Sequence, residues 1–207
     1  MMQAASPILA VVFDFGNVLA MFDRPAQCRQ LARRSPLPAE EIERLIWDND
    51  LEIDAESGRF DSKEQFRRVR DRIQAPPSWS YEEFLEDFAA GLEPNPEGLA
   101  ALRLAAGTGR RTFILSNTSY THARRLFMNE ELATVPEGYV FSFKVGTMKP
   151  DPAIWRHLLR TAGLEAGQCL YIDDEPPFCR AAEALGFTAI RYERGRTDLL
   201  RRLRELL

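Results

Sequence analysis

Short apolar runs recur along the chain, and polar residues follow directly after them. Three of these runs cover residues 8–13, 112–115 and 170–172, and they lead into Asp14, Ser116 and Asp173. Continuous runs of β-branched and aromatic residues are typical of strands that are buried on both faces of a parallel sheet. Such sheets bind ligands beyond the carboxyl ends of their strands. We therefore expect these polar residues to converge at one edge of a sheet.

Residues 24–92 have a different pattern, in which apolar residues recur at helical spacing. The predicted helices cover about 24–33 and 38–49 and two further segments that begin at Ser62 and Ser80. Each of these two serines has Gln or Glu three residues later, which is the spacing of a capping box at a helix N-terminus. This segment is therefore predicted to form about four helices and no strand. The sequence Pro94-Asn95-Pro96 marks its end.

From residue 97 onward, predicted helices and strands alternate. The strands cover 111–115, 139–143, 169–172 and 188–192, and the helices include 97–106, 122–129 and 152–162. Alternation of this kind indicates βαβ units and a parallel sheet. The predicted fold class is α/β, with a three-layer, Rossmann-like core formed by residues 1–19 and 94–207. Residues 20–93 are predicted to form a small all-α helical cap that is inserted after the first strand.

Composition and charge narrow the range of partners. The net charge is −4 and the charged residues are mixed along the chain without a basic stripe, so we expect no nucleic-acid partner. The apolar runs are too short for a signal peptide or a membrane span, so we expect no membrane partner. Cys28, Cys169 and Cys179 are odd in number and lack CxxC spacing, which favours a reducing compartment. The expected protein is cytoplasmic and a monomer or homodimer.

Four motifs carry a resemblance to a known family. They are Asp-Phe-Gly-Asn-Val-Leu at 14–19, Ser116-Asn117-Thr118, Lys149-Pro150 and Asp173-Asp174. In this order they resemble the four motifs of the haloacid dehalogenase-like (HAD) superfamily, which also carries a helical cap between its first two motifs. The Asp-x-Gly-Asn-Val form resembles the glucose-1-phosphatase-like branch. The resemblance covers essentially the whole chain.

This resemblance implies a Mg²⁺-dependent phosphatase that acts on a small phosphorylated metabolite, in particular a sugar phosphate. Asp14 would attack the phosphoryl group and form an aspartyl-phosphate, which splits one difficult displacement into two easier ones. Ser116 would donate a hydrogen bond to a phosphoryl oxygen, and Lys149 would pair with Asp14 and with the phosphate. The implied Mg²⁺ ligands are the Asp14 side chain, the Gly16 carbonyl and Asp174. Asp173 belongs to the same metal site and would orient bound water or Lys149.

Further residues are candidates for binding the substrate. The resemblance implies this role for Asn17, Asn117 and His122. It also exposes a departure from the family pattern, because family phosphatases carry an acid at the position of Gly16 that protonates the leaving oxygen. Loss of a positioned acid lowers a rate by roughly 10²–10⁴-fold. We therefore predict a preference for good leaving groups, unless His122, Asp23 or a cap residue supplies the proton.

Three alternatives to a phosphatase remain open from the sequence. The chain could be a catalytically silent module that binds a phosphometabolite, which the Gly at position 16 would suit. It could also be a phosphomutase, although that reaction also needs an acid–base partner and Gly16 weakens this alternative further. A 2-haloacid dehalogenase is disfavoured, because that branch places Tyr at the position of Gly16 and lacks the paired acids of the metal site.

Overall fold

The computed structural model describes residues 7–207. Its strands are β1 (Ala10–Phe13), β2 (Ala20–Phe22), β3 (Leu92–Pro94), β4 (Arg111–Ser116), β5 (Gly138–Phe141), β6 (Cys169–Asp173) and β7 (Thr188–Arg191). Its α-helices are α1 (Arg24–Ala32), α2 (Ala39–Trp47), α3 (Asp50–Glu56), α4 (Ser62–Arg72), α5 (Tyr81–Phe88), α6 (Pro96–Gly107), α7 (Tyr120–Leu126), α8 (Glu130–Thr134), α9 (Ser142–Val145), α10 (Pro152–Ala162), α11 (Pro176–Ala184) and α12 (Leu199–Leu206). Within the described residues, we find no helix with the length and apolar character that a bilayer crossing requires.

Five strands form a parallel sheet in the order β5-β4-β1-β6-β7. The central strand β1 lies in register with both neighbours, so that Phe13 is level with Ile114 on one side and with Ile172 on the other. All four residues of β1 are fully buried, which explains why the run is apolar at every position. The prediction of an α/β fold with a central parallel sheet is confirmed. The register also brings the residues that follow β1, β4 and β6 to the same edge.

Side chains alternate between the two faces of the sheet, as they must in an extended strand. On one face, Val11 and Phe13 pack in a core that helices α6 and α12 complete with Leu102 and Leu203. On the opposite face, Val12 packs in a second core together with residues of α10 and α11. These are the three layers that the sequence predicts. Each fully buried aliphatic or aromatic side chain stabilises the fold by about 1.5–3 kcal/mol.

The helices α1 to α5 form the cap and share a third hydrophobic core. Phe84 lies at its centre and contacts the rings of Phe66, Trp79 and Phe88 at centroid distances of 5.1–5.6 Å. The cap has five helices, whereas the sequence predicts about four. The additional helix is α3, which Asn49 caps by accepting a hydrogen bond from the backbone N–H of Leu51 at 3.0 Å.

Local capping decides two other boundaries. The capping box of Ser80 and Glu83 is present at the start of α5, as predicted. The box predicted at Ser62 is wrong, because Asp61 caps α4 by accepting from the N–H of Glu64 at 2.8 Å. Helix α7 ends at Leu126, three residues earlier than predicted, since Asn129 begins a separate helix α8. Strand β5 likewise ends at Phe141, where the short helix α9 begins.

The cap joins the core through the antiparallel ribbon of β2 and β3. Just beyond it, Asn95 is buried and donates from Nδ2 to the Val18 carbonyl at 2.7 Å. Helix α6 then passes so close to this segment that a Cβ at Gly98 would lie 2.0 Å from the Val18 carbonyl oxygen. Only glycine fits there, and the return to the core is thereby fixed. The domain limits at residues 19/20 and 93/94 stay a prediction, and residues 1–6 of the first segment lie outside the described chain.

Candidate active site

The polar residues that follow the strands converge on Lys149. Its Nζ atom lies 2.8 Å from Asp14 Oδ1 and 2.7 Å from Asp173 Oδ2. All three residues are buried, although they are up to 159 positions apart in the sequence. The parallel register of β1 and β6 places the two aspartates side by side, and the loop before α10 brings the lysine between them. The structure therefore assembles the four sequence motifs at one edge of the sheet.

Both carboxylate oxygens of Asp173 are engaged within the chain. Oδ2 accepts hydrogen bonds from Lys149 Nζ and from the Tyr171 hydroxyl, and Oδ1 accepts from the backbone N–H of Glu175 at 2.8 Å. Burial and the neighbouring Asp173 charge raise the pKa of Tyr171 well above its usual range, so this phenol stays a proton donor. The geometry makes Asp173 an anchor for Lys149. Sequence reasoning missed Tyr171, which lies inside the apolar run of β6.

The cluster carries an excess of negative charge. Burial raises the pKa of Asp14 to about 7, Lys149 opposes this shift, and Asp173 and Asp174 add to it. Burial alone would lower the pKa of Lys149, but Asp14 and Asp173 outweigh burial and hold it above its usual value. One ammonium group thus faces three carboxyl groups, and the balance of charge favours an additional cation.

The donor set fits a hard divalent cation such as Mg²⁺. Carboxylate oxygens of Asp14, Asp173 and Asp174 lie within 4.8 Å of one another. Mg²⁺ prefers oxygen ligands and binds through one or two carboxylates while it keeps several waters. Since Asp173 is already engaged, Asp14 and Asp174 are the side chains that could bind the ion directly. Asn17, which has a left-handed backbone with φ of 55°, donates to Asp174 Oδ2 at 3.1 Å and orients it.

Asn117 fixes the backbone that carries Lys149. Its Nδ2 donates to the Lys149 carbonyl at 2.9 Å, and its Oδ1 accepts from the Lys149 N–H at 2.7 Å. The neighbouring Ser116 is buried at the end of β4, and Ser142 Oγ accepts from the N–H of Thr118 at 2.9 Å. The segment after β4 is therefore held on both sides. The predicted substrate contacts of Asn117 and Asn17 stay predictions.

A cavity of about 150 Å³ lies between this edge of the sheet and the cap. From the core it is lined by residues of the first two motifs, which include Gly16, Asn17, Ser116 and Asn117. From the cap it is lined by the aromatic residues Phe22 and Trp47 and by the charged residues Arg24, Glu52 and Glu56. The cavity is small for a ligand pocket. Its lining combines polar and charged groups with aromatic rings.

Comparison with known proteins agrees with this arrangement. The model of a family described as haloacid dehalogenase-like hydrolases matches residues 8–186, which is most of the chain. The chain belongs to this HAD hydrolase family. It is therefore an enzyme of the hydrolase class, as the sequence motifs predict.

Individual relatives extend the likeness over nearly the full length. A phosphatase of Mycobacterium tuberculosis is 29% identical over 191 residues, which cover 90% of this chain and 88% of the relative. A predicted HAD-like hydrolase of Porphyromonas gingivalis has a similar structure, with a TM-score of 0.81 at 24% identity and coverage of 97% and 98%. A HAD family enzyme of Bacteroides thetaiotaomicron, in complex with magnesium and inorganic phosphate, has a TM-score of 0.79 at 20% identity and coverage of 92% and 97%. These two structures share the fold.

His122, a candidate from the sequence, lies on α7 at the seam between the HAD core and its cap. Its ring is buried between Phe22 and Phe88, at centroid distances of 5.4 and 5.3 Å. Burial lowers its pKa to about 4, so the ring is neutral near pH 7. Asp23, the other candidate, is exposed and caps α1 by accepting from the N–H of Ala26 at 2.9 Å.

Sequence reasoning missed the two cavity acids of helix α3. Glu52 accepts from Gln65 Nε2 at 3.0 Å, and its Oε1 lies 3.4 Å from His122 Nδ1. Burial, followed by the nearby charge of Glu56, raises the pKa of Glu52 to about 8. Glu52 and His122 therefore meet as two neutral groups. Two acids four residues apart after an Asn cap share one helix face, and this was the signal that could have identified them.

Proposed function

We propose that this HAD hydrolase is a Mg²⁺-dependent phosphatase of a small phosphorylated metabolite, in particular a sugar phosphate, with Asp14 as the nucleophile. The observation that carries the proposal is the placement of Lys149 Nζ within 2.8 Å of Asp14 in a cluster of three carboxylates. A relative that covers 90% of the chain is named a phosphatase. A structure with the same fold holds magnesium and inorganic phosphate.

The chain supplies the groups for a two-step displacement. An Asp14 carboxylate oxygen attacks phosphorus, and Lys149, which Asp173 and Tyr171 hold in place, pairs with the charge on the phosphoryl oxygens. Ser116 donates a hydrogen bond to one of those oxygens. When bound, Mg²⁺ offsets the repulsion between the phosphoryl dianion and Asp14. Residues Asp14, Asp174 and the Gly16 carbonyl would hold it.

The cavity supports a small polar substrate. Its volume of about 150 Å³ is small for a ligand pocket and suits a compact substrate. Its cap side presents Arg24, whose guanidinium carbon lies 5.1 Å from the centre of the Trp47 ring. A cation backed by an aromatic ring suits a compact anionic metabolite. We extend the proposal to a cytoplasmic enzyme, which three free thiols support, and to a monomer or homodimer.

The direct test is release of phosphate from a panel of sugar phosphates and other phosphorylated metabolites, with and without Mg²⁺. We expect turnover of at least one sugar phosphate, and we expect chelation of the metal to abolish it. Folded protein that binds a phosphometabolite by calorimetry but releases no phosphate would indicate the binding module instead. Isomerised substrate would indicate a phosphomutase, and halide release from a 2-haloacid would indicate a dehalogenase.

A further inference from the structure

The position of the missing acid is open in this structure. A Cβ built at Gly16 has no other heavy atom within 4 Å among the described residues, and Gly16 is not in the left-handed region. The space next to Gly16 is therefore open, and no other group of the described chain takes the place of the missing acid there. The other ionisable side chains that line the same cavity are therefore the candidates for giving a proton to the leaving oxygen.

Three of the four ionisable side chains that line the cavity are unsuited to this role. Arginine side chains do not act as proton donors in proteins, which excludes Arg24. His122 is neutral and buried between two aromatic rings, with Nε2 lying 3.2 Å from Gln27 Nε2 and Nδ1 near Glu52. Glu52 is held between Gln65 and His122. Glu56 differs, because its carboxyl group makes no hydrogen bond or ion pair with any residue from 7 to 207.

We propose that Glu56 is the general acid and base of the reaction, and that it replaces from the cap the acid that the core lacks at Gly16. The inference rests on the proposed phosphatase function. Glu56 lines the same cavity as Gly16, Ser116 and Asn117, so it borders the space that the substrate would occupy. It is half-buried and free to reach a ligand.

The surroundings of Glu56 favour a group that exchanges its proton near neutral pH. Burial raises the pKa of Glu56 to about 7, while Lys149 and Arg24 oppose this shift. Glu52, one turn earlier on the same helix, is the neighbouring acid, and a charge on Glu56 raises the pKa of Glu52. A general acid is most effective when its pKa lies close to the working pH.

Helix α3 is pressed against the core, which fixes the height of Glu56 above the site. Gly58 follows the C-terminal end of the helix with φ of +73°. A Cβ at this position would lie 2.3 Å from the backbone oxygen of Phe143, which belongs to α9 in the core. Only glycine allows this approach. At the other end, Asn49 caps the helix through the N–H of Leu51.

The proposed reaction uses one nucleophile, Asp14, and one proton, which Glu56 gives up in the first step and takes back in the second. An Asp14 oxygen forms a bond to phosphorus while the bond from phosphorus to the ester oxygen breaks. The electron pair goes to that oxygen, which takes the proton from the Glu56 carboxyl group and leaves as an alcohol. In the second step water attacks the phosphoryl group on Asp14 and gives its proton to the Glu56 carboxylate. The bond from phosphorus to Asp14 then breaks, and phosphate and the free Asp14 carboxylate are restored.

The test compares an alkyl ester that needs a proton with an aryl ester that leaves without one. The substrates are glycerol 2-phosphate and p-nitrophenyl phosphate, and the proteins are the unmodified chain, Glu56→Gln and Glu56→Asp. We expect Glu56→Gln to lower kcat/KM by about 10²–10⁴-fold on the alkyl ester, and by less than about 10-fold on the aryl ester. In Glu56→Gln, the activity on the alkyl ester should no longer fall at alkaline pH. Glu56→Asp should keep part of the alkyl activity that Glu56→Gln loses.

A matched control is Asp50→Asn, which changes an exposed acid of the same helix that lies outside the cavity lining. It should lower both activities alike and by little. Equal losses on both esters in Glu56→Gln, or no loss at all, would overturn the role of Glu56. An unmodified chain that hydrolyses only the aryl ester would overturn it as well. Absence of turnover of either ester in the unmodified, folded protein would instead overturn the phosphatase function on which the inference rests.

Discussion

The core and the cap both hold buried carboxyl groups, but they give them different partners. On the core side, Lys149 lies within 2.8 Å of Asp14 and Asp173, and an opposite charge favours ionised carboxylates. On the cap side, Glu52 contacts only the uncharged groups of Gln65 and His122, and Glu56 has no ion-pair partner among residues 7–207. Burial raises the pKa on both sides, to about 7 for Asp14 and Glu56 and to about 8 for Glu52, but only the core aspartates have an ammonium group in contact with them. Under the two proposals, a carboxyl group thus serves as a nucleophile on one side and as a proton donor on the other.

Among the changes to the core and to the cap, removal of the nucleophile should lower the activity the most. Asp14→Asn keeps the shape of the side chain and removes the attacking carboxylate, so we expect kcat to fall by on the order of 10⁶-fold, as for other enzyme nucleophiles. The same change relieves repulsion from Asp173 and Asp174, so the melting temperature in the absence of metal should not fall. Steady-state assays and thermal unfolding check both points. Substantial turnover by a folded Asp14→Asn protein would show that another residue attacks.

Removal of the one buried ammonium group among residues 7–207 should reveal how much Lys149 stabilises the aspartates of the core. Lys149→Met leaves Asp14 and Asp173 facing each other, and such loss of one partner destabilises by about 3–5 kcal/mol. We expect the melting temperature at pH 8 to fall by on the order of 10 °C. The deficit should shrink at pH 5, because protonation of Asp14 relieves the repulsion. Lys144→Met, at an exposed position, is the control. A deficit of equal size at both pH values would contradict this explanation.

An acid restored to the core should compensate for the loss of the acid in the cap. The open space at Gly16 and its ordinary backbone allow an aspartate there. In a Glu56→Gln background, Gly16→Asp should recover part of the 10²–10⁴-fold loss on alkyl phosphates. In the unmodified chain it should change the same rate much less. A double-mutant cycle measures this difference. The same gain in both backgrounds would show that the two positions act independently.

The smallest expected effect concerns the pH dependence of stability on the cap side. The folded pKa of Glu52 is about 8, above the usual 4.5, so its contribution to stability is complete below pH 4.5 and is lost as the pH rises through 8. His122 has a folded pKa of about 4, below the usual 6.5, so its contribution is complete above pH 6.5 and is lost as the pH falls through 4.

Glu52→Gln removes the first of these dependences and leaves the second. We expect the variant and the unmodified chain to have similar melting temperatures near pH 5. At pH 9 the variant should be more stable, by on the order of 5 °C. Thermal unfolding across this range, without metal, measures the difference. A variant that is less stable at pH 9 would show that Glu52 is ionised in the fold and needs its charge.

The difference between the two regions also explains what could be predicted from the sequence. Asp14 and Asp173 end apolar runs, and the parallel topology converts those positions into neighbours in space. The motif of Lys149 places this residue at the site, but the carboxylate oxygens that it contacts can be identified only from the fold. The role of Tyr171 could not be predicted, because a tyrosine inside an apolar strand has the pattern of a core residue. Its hydrogen bond to Asp173 depends on the direction of the side chain, which only the fold shows.

The cap acids were missed because the helix that carries them was itself missed. Helix α3 spans only seven residues, and its buried face combines the apolar Leu51 and Ala55 with the acid Glu52. An acid on a buried face removes the hydrophobic periodicity by which a helix is recognised. The buried position of Glu52 depends on contacts with Gln65 and His122, which come from other elements of the fold.

The central claim, that the core supplies the nucleophile and the cap supplies the proton, is tested most directly by rapid quench of Glu56→Gln with p-nitrophenyl phosphate and Mg²⁺. Formation of the phosphoenzyme from an aryl ester needs no proton. Hydrolysis of the phosphoenzyme needs a base, which the Glu56→Gln variant lacks. We predict a burst of one p-nitrophenolate per site, slow turnover afterwards, and a phosphoryl group on Asp14 that mass spectrometry of the quenched chain locates. A burst without a phosphorylated chain, a phosphoryl group on another residue, or turnover as fast as in the unmodified protein would contradict the account.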